Sequence, residues 1–191
     1  ALMAFAQERG DISFLVNNIG IFDVSDFFEV SDDRWMEYFD TNLMTAIRIT
    51  RLVMKDMLAR DDGSIAFISS EAAIRSIGNM VPYSTTKTAV LGLSRSLAEL
   101  TRGTHVRVNS YMPGTTSTDS VKGYFEGLAK EQGKSVEEAL QDFYKDVQPG
   151  NLKQSLIDPA MHGRGVIQLM TNTAMNGVMH RADGGTVRMI F

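Results

Sequence analysis

The sequence predicts an α/β fold, a doubly wound parallel sheet with helices on both faces. Three observations predict it. Short apolar runs alternate with longer runs of helical period, the order of a sheet built from strand–helix–strand units. The short runs are continuously apolar rather than alternating, as strands are when both faces are covered. Polar or turn-forming residues follow the first three runs at their carboxyl ends, where such sheets place their ligand crevice.

Taken in order, "ISFLV" (Ile12 to Val16) is a buried strand that ends in the tight turn "NNIG", Asn17 to Gly20. Ser31 opens a long amphipathic helix with Asp32 and Asp33 in its first turn, running through Trp35, Tyr38, Phe39, Leu43 and Ile47 to about Ala59. "RDDGS" stops it, and "SIAFISS" (Ser64 to Ser70) is the second strand. A loop from Glu71 leads to a helix over about Pro82 to Leu100, and "VRVNSYMPG" (Val106 to Gly114) is a third strand that stops at Pro-Gly. From Thr115 to Pro159 the pattern loosens into two short helices, the second opened by the capping box of Ser135 and Glu138. "QPGN" (Gln148 to Asn151) breaks it. A helix from about Pro159 to Met170 and a short strand in "GVMHRADGG" complete the chain.

Composition narrows the function classes. The 191 residues suit one domain, residues 1–191. A net charge of -4 gives no basic footprint for nucleic acid. No apolar run approaches a membrane span. With no cysteine there is no disulfide framework and no thiolate chemistry, which fits a reducing, cytoplasmic compartment. His105, His162 and His180 lack ligand-like spacing, so no metal site is expected. The acid pairs Asp32-Asp33, Asp61-Asp62 and Glu137-Glu138 sit at helix starts or in a turn and favour the helix dipole or solvent.

One pair asks for chemistry. Tyr83 and Lys87 lie four residues apart at the start of a helical run, so they are neighbours on one face. A cation within about 4–6 Å lowers a phenol's pKa and lets it move a proton near neutral pH. A half-buried tyrosine beside a solvated lysine is the plain alternative. The other polar strand ends, Asn17 to Gly20, Ser69-Ser70 and Pro113-Gly114, converge on the same crevice.

At these residues the sequence resembles the short-chain dehydrogenases/reductases, over nearly its whole length. "NNIG" is similar to that family's Asn-Asn-Ala-Gly, with Ile19 for alanine. "DTNLMTAIRIT" resembles the helix carrying a catalytic asparagine, here Asn42. "GSIAFISSEAA" resembles the strand ending in a catalytic serine. The spacing of 13 residues before Tyr83 selects Ser70 over Ser69. "YSTTK" matches Tyr-x-x-x-Lys, "NSYMPGTTSTDS" matches Asn-x-x-x-Pro-Gly-x-x-x-Thr, and Asp183 to Gly185 match a late Asp-Gly-Gly turn.

The resemblance implies a Rossmann-like sheet and an NAD(P)-dependent oxidoreductase that interconverts a carbonyl and an alcohol by hydride transfer. Tyr83 would be the general acid/base, with its pKa lowered by Lys87, which also holds the cofactor ribose. Ser70 would polarise the substrate oxygen. Asn42 would hold a relay water, or else tie two strands together as a buried asparagine. The implied cofactor-binding residues are Asn18, Gly20, Tyr83, Lys87, Pro113, Gly114, Thr116 and Thr118. Gly114 would let the backbone approach the cofactor. Residues 119–158 would form a lid over a small-molecule substrate, with Tyr124, Phe125, Leu128, Phe143 and Tyr144 as its apolar underside.

The family's Gly-rich Thr-Gly-x-x-x-Gly-x-Gly turn is absent from these residues, and "ALMAFAQERGD" reads as the end of a helix before the family's fourth strand. Two strand–helix–strand steps, on the order of 60–70 residues, are expected to precede it in the protein. Without them "ISFLV" is an exposed apolar edge. The choice of NAD or NADP is hidden with them. A non-catalytic remnant or binding module without a dinucleotide site is the alternative reading. The apolar surplus of the two long helices (Met44, Ile47, Met54 and Leu58; Val90, Leu93 and Leu97) predicts a homodimer or homotetramer, with "VRMIF" (Val187 to Phe191) making a second contact.

Overall fold

The computed structural model describes residue 8 and residues 10–189. The initial "ALMAFAQERGD" reading therefore falls largely outside the described residues, as do Ile190 and Phe191 of the apolar end. The elements are β1 (Phe14–Asn17), α1 (Asp32–Phe39), a π-helical turn (Asp40–Met44), α2 (Thr45–Arg60), β2 (Gly63–Ile68) and a 3-10 turn (Glu71–Ala73). They continue with α3 (Val81–Glu99), β3 (Val106–Pro113), α4 (Asp119–Gln132), α5 (Val136–Asp142), a π-helical turn (Phe143–Val147), α6 (Pro159–Thr171) and β4 (Met179–Ala182).

The four strands form one parallel sheet in the order β1-β2-β3-β4. Alternation along the strands sorts the layers. Ile65 and Phe67 of β2 and Val106 and Val108 of β3 pack with Ala46, Val53, Met54 and Met57 of α2 and Val90 and Ala98 of α3. The intervening Arg107 donates to the Met170 carbonyl, and Tyr111 meets His162 of α6, so α6 covers the opposite face. This is the expected α/β sheet with helices on both sides. β1 is its edge among the described residues, and Phe14 and Val16 there are exposed.

Local chemistry sets the element ends. Ser31, Thr118, Ser135 and Asp158 each accept a backbone N–H at a helix start, and Ser135 with Glu138 forms the expected capping box. Asp61 closes α2 in the left-handed conformation (φ 57°), and its carboxylate takes the His105 backbone N–H at 2.8 Å. The single helix expected from Ser31 to Ala59 is instead interrupted by the π-helical turn at Asp40–Met44. There the Thr45 N–H reaches back five residues to the Asp40 carbonyl. Helical periodicity carries no sign of that inserted residue, and such bulges are common at functional sites.

Part of the expected apolar surplus is spent within the chain. Met54 and Val90 are fully spent in the core of one subunit, and Leu58, Leu93 and Leu97 are half-buried against it. At the C-terminus Val187 is buried, its N–H donating to Asp183 at 2.9 Å, while Met189 is exposed. In the 119–158 segment Phe125 and Tyr144 are buried within a run of edge-to-face rings (Tyr124–Phe125, Phe125–Phe143, Phe143–Tyr144), while Tyr124 is exposed.

Candidate active site

The site forms where β2 ends and α3 begins. Ser69 and Ser70 follow the last residue of β2, and their hydroxyls diverge. Ser69 donates to the Lys87 carbonyl at 2.9 Å, tying strand end to helix. Ser70 caps the 3-10 turn, accepting the Ala72 N–H at 3.1 Å, and its hydroxyl stands close enough to the Tyr83 phenol to lower its pKa. Lys87 lies one turn along α3 with its Nζ 5.7 Å from the Tyr83 ring centroid. That Nζ is drawn to the Ile68 carbonyl at 2.9 Å, at the very end of β2.

Asn42 faces this corner from the π-helical turn. Its Nδ2 donates to the Ile21 carbonyl and to Thr86 Oγ1, both at 3.0 Å, and its Oδ1 accepts the Ile21 N–H at 2.7 Å. It therefore ties the loop after β1 to α3, rather than joining two strands. Gly20 lies against it: a Cβ there would stand 3.2 Å from Lys87 Nζ and 3.3 Å from Asn42 Oδ1. The loop continues to Phe22, whose ring sits 5.9 Å from that of Tyr83. Tyr38 holds this loop by donating to Asp23 at 2.5 Å, and Arg34 pairs with the same carboxylate.

The electrostatics correct one expectation. Tyr83 is not lowered. Burial pushes its phenol up to about 12, the Ser70 hydroxyl pulls it partly back, and the Glu71 carboxylate raises it again. Burial also brings the Lys87 ammonium down to about 8. The lysine's ammonium donates to the Ile68 carbonyl, and desolvation is the largest influence on the phenol.

The remaining predicted residues behave differently. Asn18 is exposed at the end of β1, where it lines a small cavity of about 170 Å³ with Asn42, Thr45 and Ile68. Pro113 ends β3. Gly114 packs tightly on its own chain: a Cβ would stand 2.8 Å from the Asp183 Cα, so its backbone lies against that of the Asp-Gly-Gly turn. Thr116 Oγ1 donates to the Gly114 carbonyl at 2.9 Å, and Thr118 caps α4. Both are engaged within their own segment and are not brought against Ser70, Tyr83 or Lys87 by any contact among the described residues. A larger cavity of about 750 Å³ lies between Leu140, Tyr144, Pro149 and Leu156; Tyr144 of the expected lid underside lines it, and none of the predicted catalytic or cofactor-binding residues does.

Sequence reasoning missed Glu71. It is buried directly beside Ser70, and burial pushes its carboxyl up to about 7. Gln148 donates to it at 3.0 Å. An acid set in the small-residue run "SSEAA" was the available signal.

The fit to a dinucleotide rests on the Gly20 corner. There the exposed Gly20 lets Lys87 Nζ and Asn42 Oδ1 pack close against the backbone of the loop after β1. Among the described residues one of the three Lys87 donors goes to Ile68, which leaves two for the hydroxyls of a sugar. No cluster of metal-ligating side chains occurs among the described residues.

Comparison with known proteins gives a consistent result. The family model for short chain dehydrogenases matches residues 1–129. The oxidoreductase YvrD of Bacillus subtilis is 40% identical over 100% of this chain and 73% of its own length. YvaG of the same organism, also an oxidoreductase, is 41% identical over 97% of this chain and 71% of its own. Among solved structures, an actinorhodin polyketide ketoreductase with NADPH superposes at TM-score 0.86 with 26% identity, covering 98% of this chain and 72% of that one. The L-sorbose reductase of Gluconobacter frateurii shares the fold at TM-score 0.89 and 24% identity, covering 99% of this chain and 72% of that one.

Proposed function

The chain belongs to the short-chain dehydrogenase family, and from that premise we propose that it works as an NAD(P)-dependent oxidoreductase interconverting a small-molecule carbonyl and an alcohol. The observation that carries this reading is the meeting of the Ser70 and Tyr83 hydroxyls beside the buried Lys87 ammonium at the end of β2.

In the reductive direction negative charge develops on the substrate oxygen. Ser70 donates a hydrogen bond to it, and Tyr83 transfers its phenolic proton to it. A phenol held near 12 is fully protonated at neutral pH, so the acid is ready without activation. The reverse reaction requires a phenolate and is the harder direction in this geometry. Lys87 would hold ribose hydroxyls, and Gly20, with Asn18, Pro113, Gly114, Thr116 and Thr118 near the strand ends, would line the rest of the cofactor's path. The nicotinamide, when bound, supplies or accepts the hydride. Asn42 fixes the loop that carries Gly20, and residues 119–158 serve as the lid. The chain is read as one domain over residues 1–191.

We extend the same reading to a homodimer or homotetramer through α2 and α3, supported by Leu52 of α2, which is 53% exposed, and by the half-buried Leu93 and Leu97. No helix among the described residues is long and apolar enough to cross a membrane. A cytoplasmic site of action accords with the lack of cysteine.

The test is turnover. Full-length protein with NADH or NADPH and a panel of ketones and aldehydes is expected to consume the reduced cofactor. Ser70→Ala is expected to lower kcat by about 10²–10³-fold, the worth of one oxyanion donor. No turnover with any carbonyl, or an unchanged rate in Ser70→Ala, defeats the reading. Light scattering decides the assembly, since a monomer mass at micromolar concentration excludes the α2/α3 interface.

A further inference from the structure

We propose that Glu71 is a positioning residue that latches the 119–158 segment over the Ser70–Tyr83 pair through Gln148. This rests on the oxidoreductase reading for its meaning, though not for its test.

Glu71 opens the 3-10 turn that Ser70 caps, so its carboxyl is fixed to the serine by one peptide. Gln148 closes the π-helical turn at the far end of the segment and is buried. Its Nε2 donates both to Glu71 Oε1 and to Thr115 Oγ1, each at 3.0 Å. Thr115 follows the end of β3, so one amide joins the ends of two strands to the end of the lid. Arg75 adds a second tie by donating to the Val147 carbonyl. The groups facing the Glu71 carboxyl are Arg75 from its own loop, Tyr83 from α3, Tyr144 from the lid and Asp183 from the turn after β4. Among the described residues the buried Tyr144 hydroxyl has no hydrogen-bond partner, and Gln148 is the lid side chain that donates to the acid.

Burial of Glu71 under this segment raises its pKa and outweighs the Gln148 hydrogen bond, which lowers it. Linkage then fixes a sign. The carboxyl binds its proton more tightly under the closed lid than in water, so the closed state is favoured fully below the ordinary carboxylate pKa. That preference declines as pH rises toward about 7, and above it the balance is level. Glu71→Gln keeps the shape and an acceptor for Gln148 but carries no proton to lose. It is expected to hold the lid closed at every pH.

Amide hydrogen exchange on the full-length protein without cofactor tests this, corrected for intrinsic exchange. In the wild type, opening of residues 143–157 is expected to rise by up to about tenfold per pH unit between about pH 5 and pH 7 and to level off beyond. In Glu71→Gln it is expected to stay flat at the acidic level. Gln148→Ala is expected to open the segment at all pH values while the β2 and β3 amides keep their protection. With turnover in hand, wild-type KM for the carbonyl follows the same rise, kcat less so, and Glu71→Gln removes it. A flat wild-type profile, a surviving rise in Glu71→Gln, or protection of 143–157 unchanged in Gln148→Ala overturns the latch. Failure of turnover alone defeats the oxidoreductase reading and leaves the exchange result to decide Glu71.

Discussion

Two buried ionisable groups flank Tyr83, and burial drives both toward their neutral forms. Lys87 on α3 comes down to about 8, and Glu71 beside Ser70 goes up to about 7. They differ in what holds them. The Lys87 partner is the Ile68 carbonyl, part of a strand paired on both sides, and the corner is closed by Gly20 and the Asn42 amide. The Glu71 partner is a side chain at the end of the π-helical turn Phe143–Val147, 77 residues away. The same desolvation therefore acts on a group held by a strand in one place and, in the latch we propose, on a movable contact in the other.

The largest expected effect breaks the fixed corner. Lys87→Met removes the ammonium and its donors, and turnover is expected to fall by about 10²–10⁴-fold with cofactor affinity weakened as well. Stability should move the other way. A lysine with a depressed folded pKa contributes fully only above about 10.5 and loses that contribution as pH falls through about 8. At neutral pH the charged lysine is a cost, so Lys87→Met is expected to melt no lower than wild type. A lower melting temperature together with normal turnover would show that Lys87 is structural.

The movable corner gives the next effect. The Glu71 shift from 4.5 to about 7 implies that the folded state is fully favoured below 4.5. It loses on the order of 3 kcal/mol by the time pH passes 7. Urea unfolding from acidic to neutral pH is expected to show that loss in wild type and not in Glu71→Gln. Equal slopes in the two proteins would mean the carboxyl is solvated. The smallest effect sharpens the contrast. Gly20→Ala places a methyl 3.2 Å from Lys87 Nζ, and the flexible lysine end can yield. About 1 kcal/mol of cofactor affinity is expected to be lost, with the exchange of residues 143–157 untouched. Isothermal titration with NADH and NADPH measures the first, and loss of lid protection in this variant would show that the two corners are coupled.

Much of the fold was legible because it depends on local pattern. Continuous apolar runs such as "SIAFISS" marked strands, and Ser135 with Glu138 marked a helix start, since a cap needs only neighbours in sequence. Tyr83 and Lys87 were legible through helical spacing. What escaped depends on distant contacts. The π-helical turn at Asp40–Met44 accompanies an Asn42 side chain bonded to Ile21 and Thr86, 21 and 44 residues away. The Glu71–Gln148 pair spans 77 residues. The direction of the Tyr83 shift was misjudged for the same reason. Spacing placed the ammonium near the phenol but could not show that Ile68 holds it or that the hydroxyl is desolvated.

The central claim is that Tyr83 carries the proton. It is tested most directly by Tyr83→Phe in the full-length protein, with steady-state reduction and cofactor titration measured on one preparation. The expected result is a loss of kcat of about 10²–10⁴-fold with cofactor Kd unchanged within about threefold, since the phenylalanine keeps the ring against Phe22 and removes only the hydroxyl. A Tyr83→Phe protein that reduces its carbonyl at near wild-type rate would contradict the account.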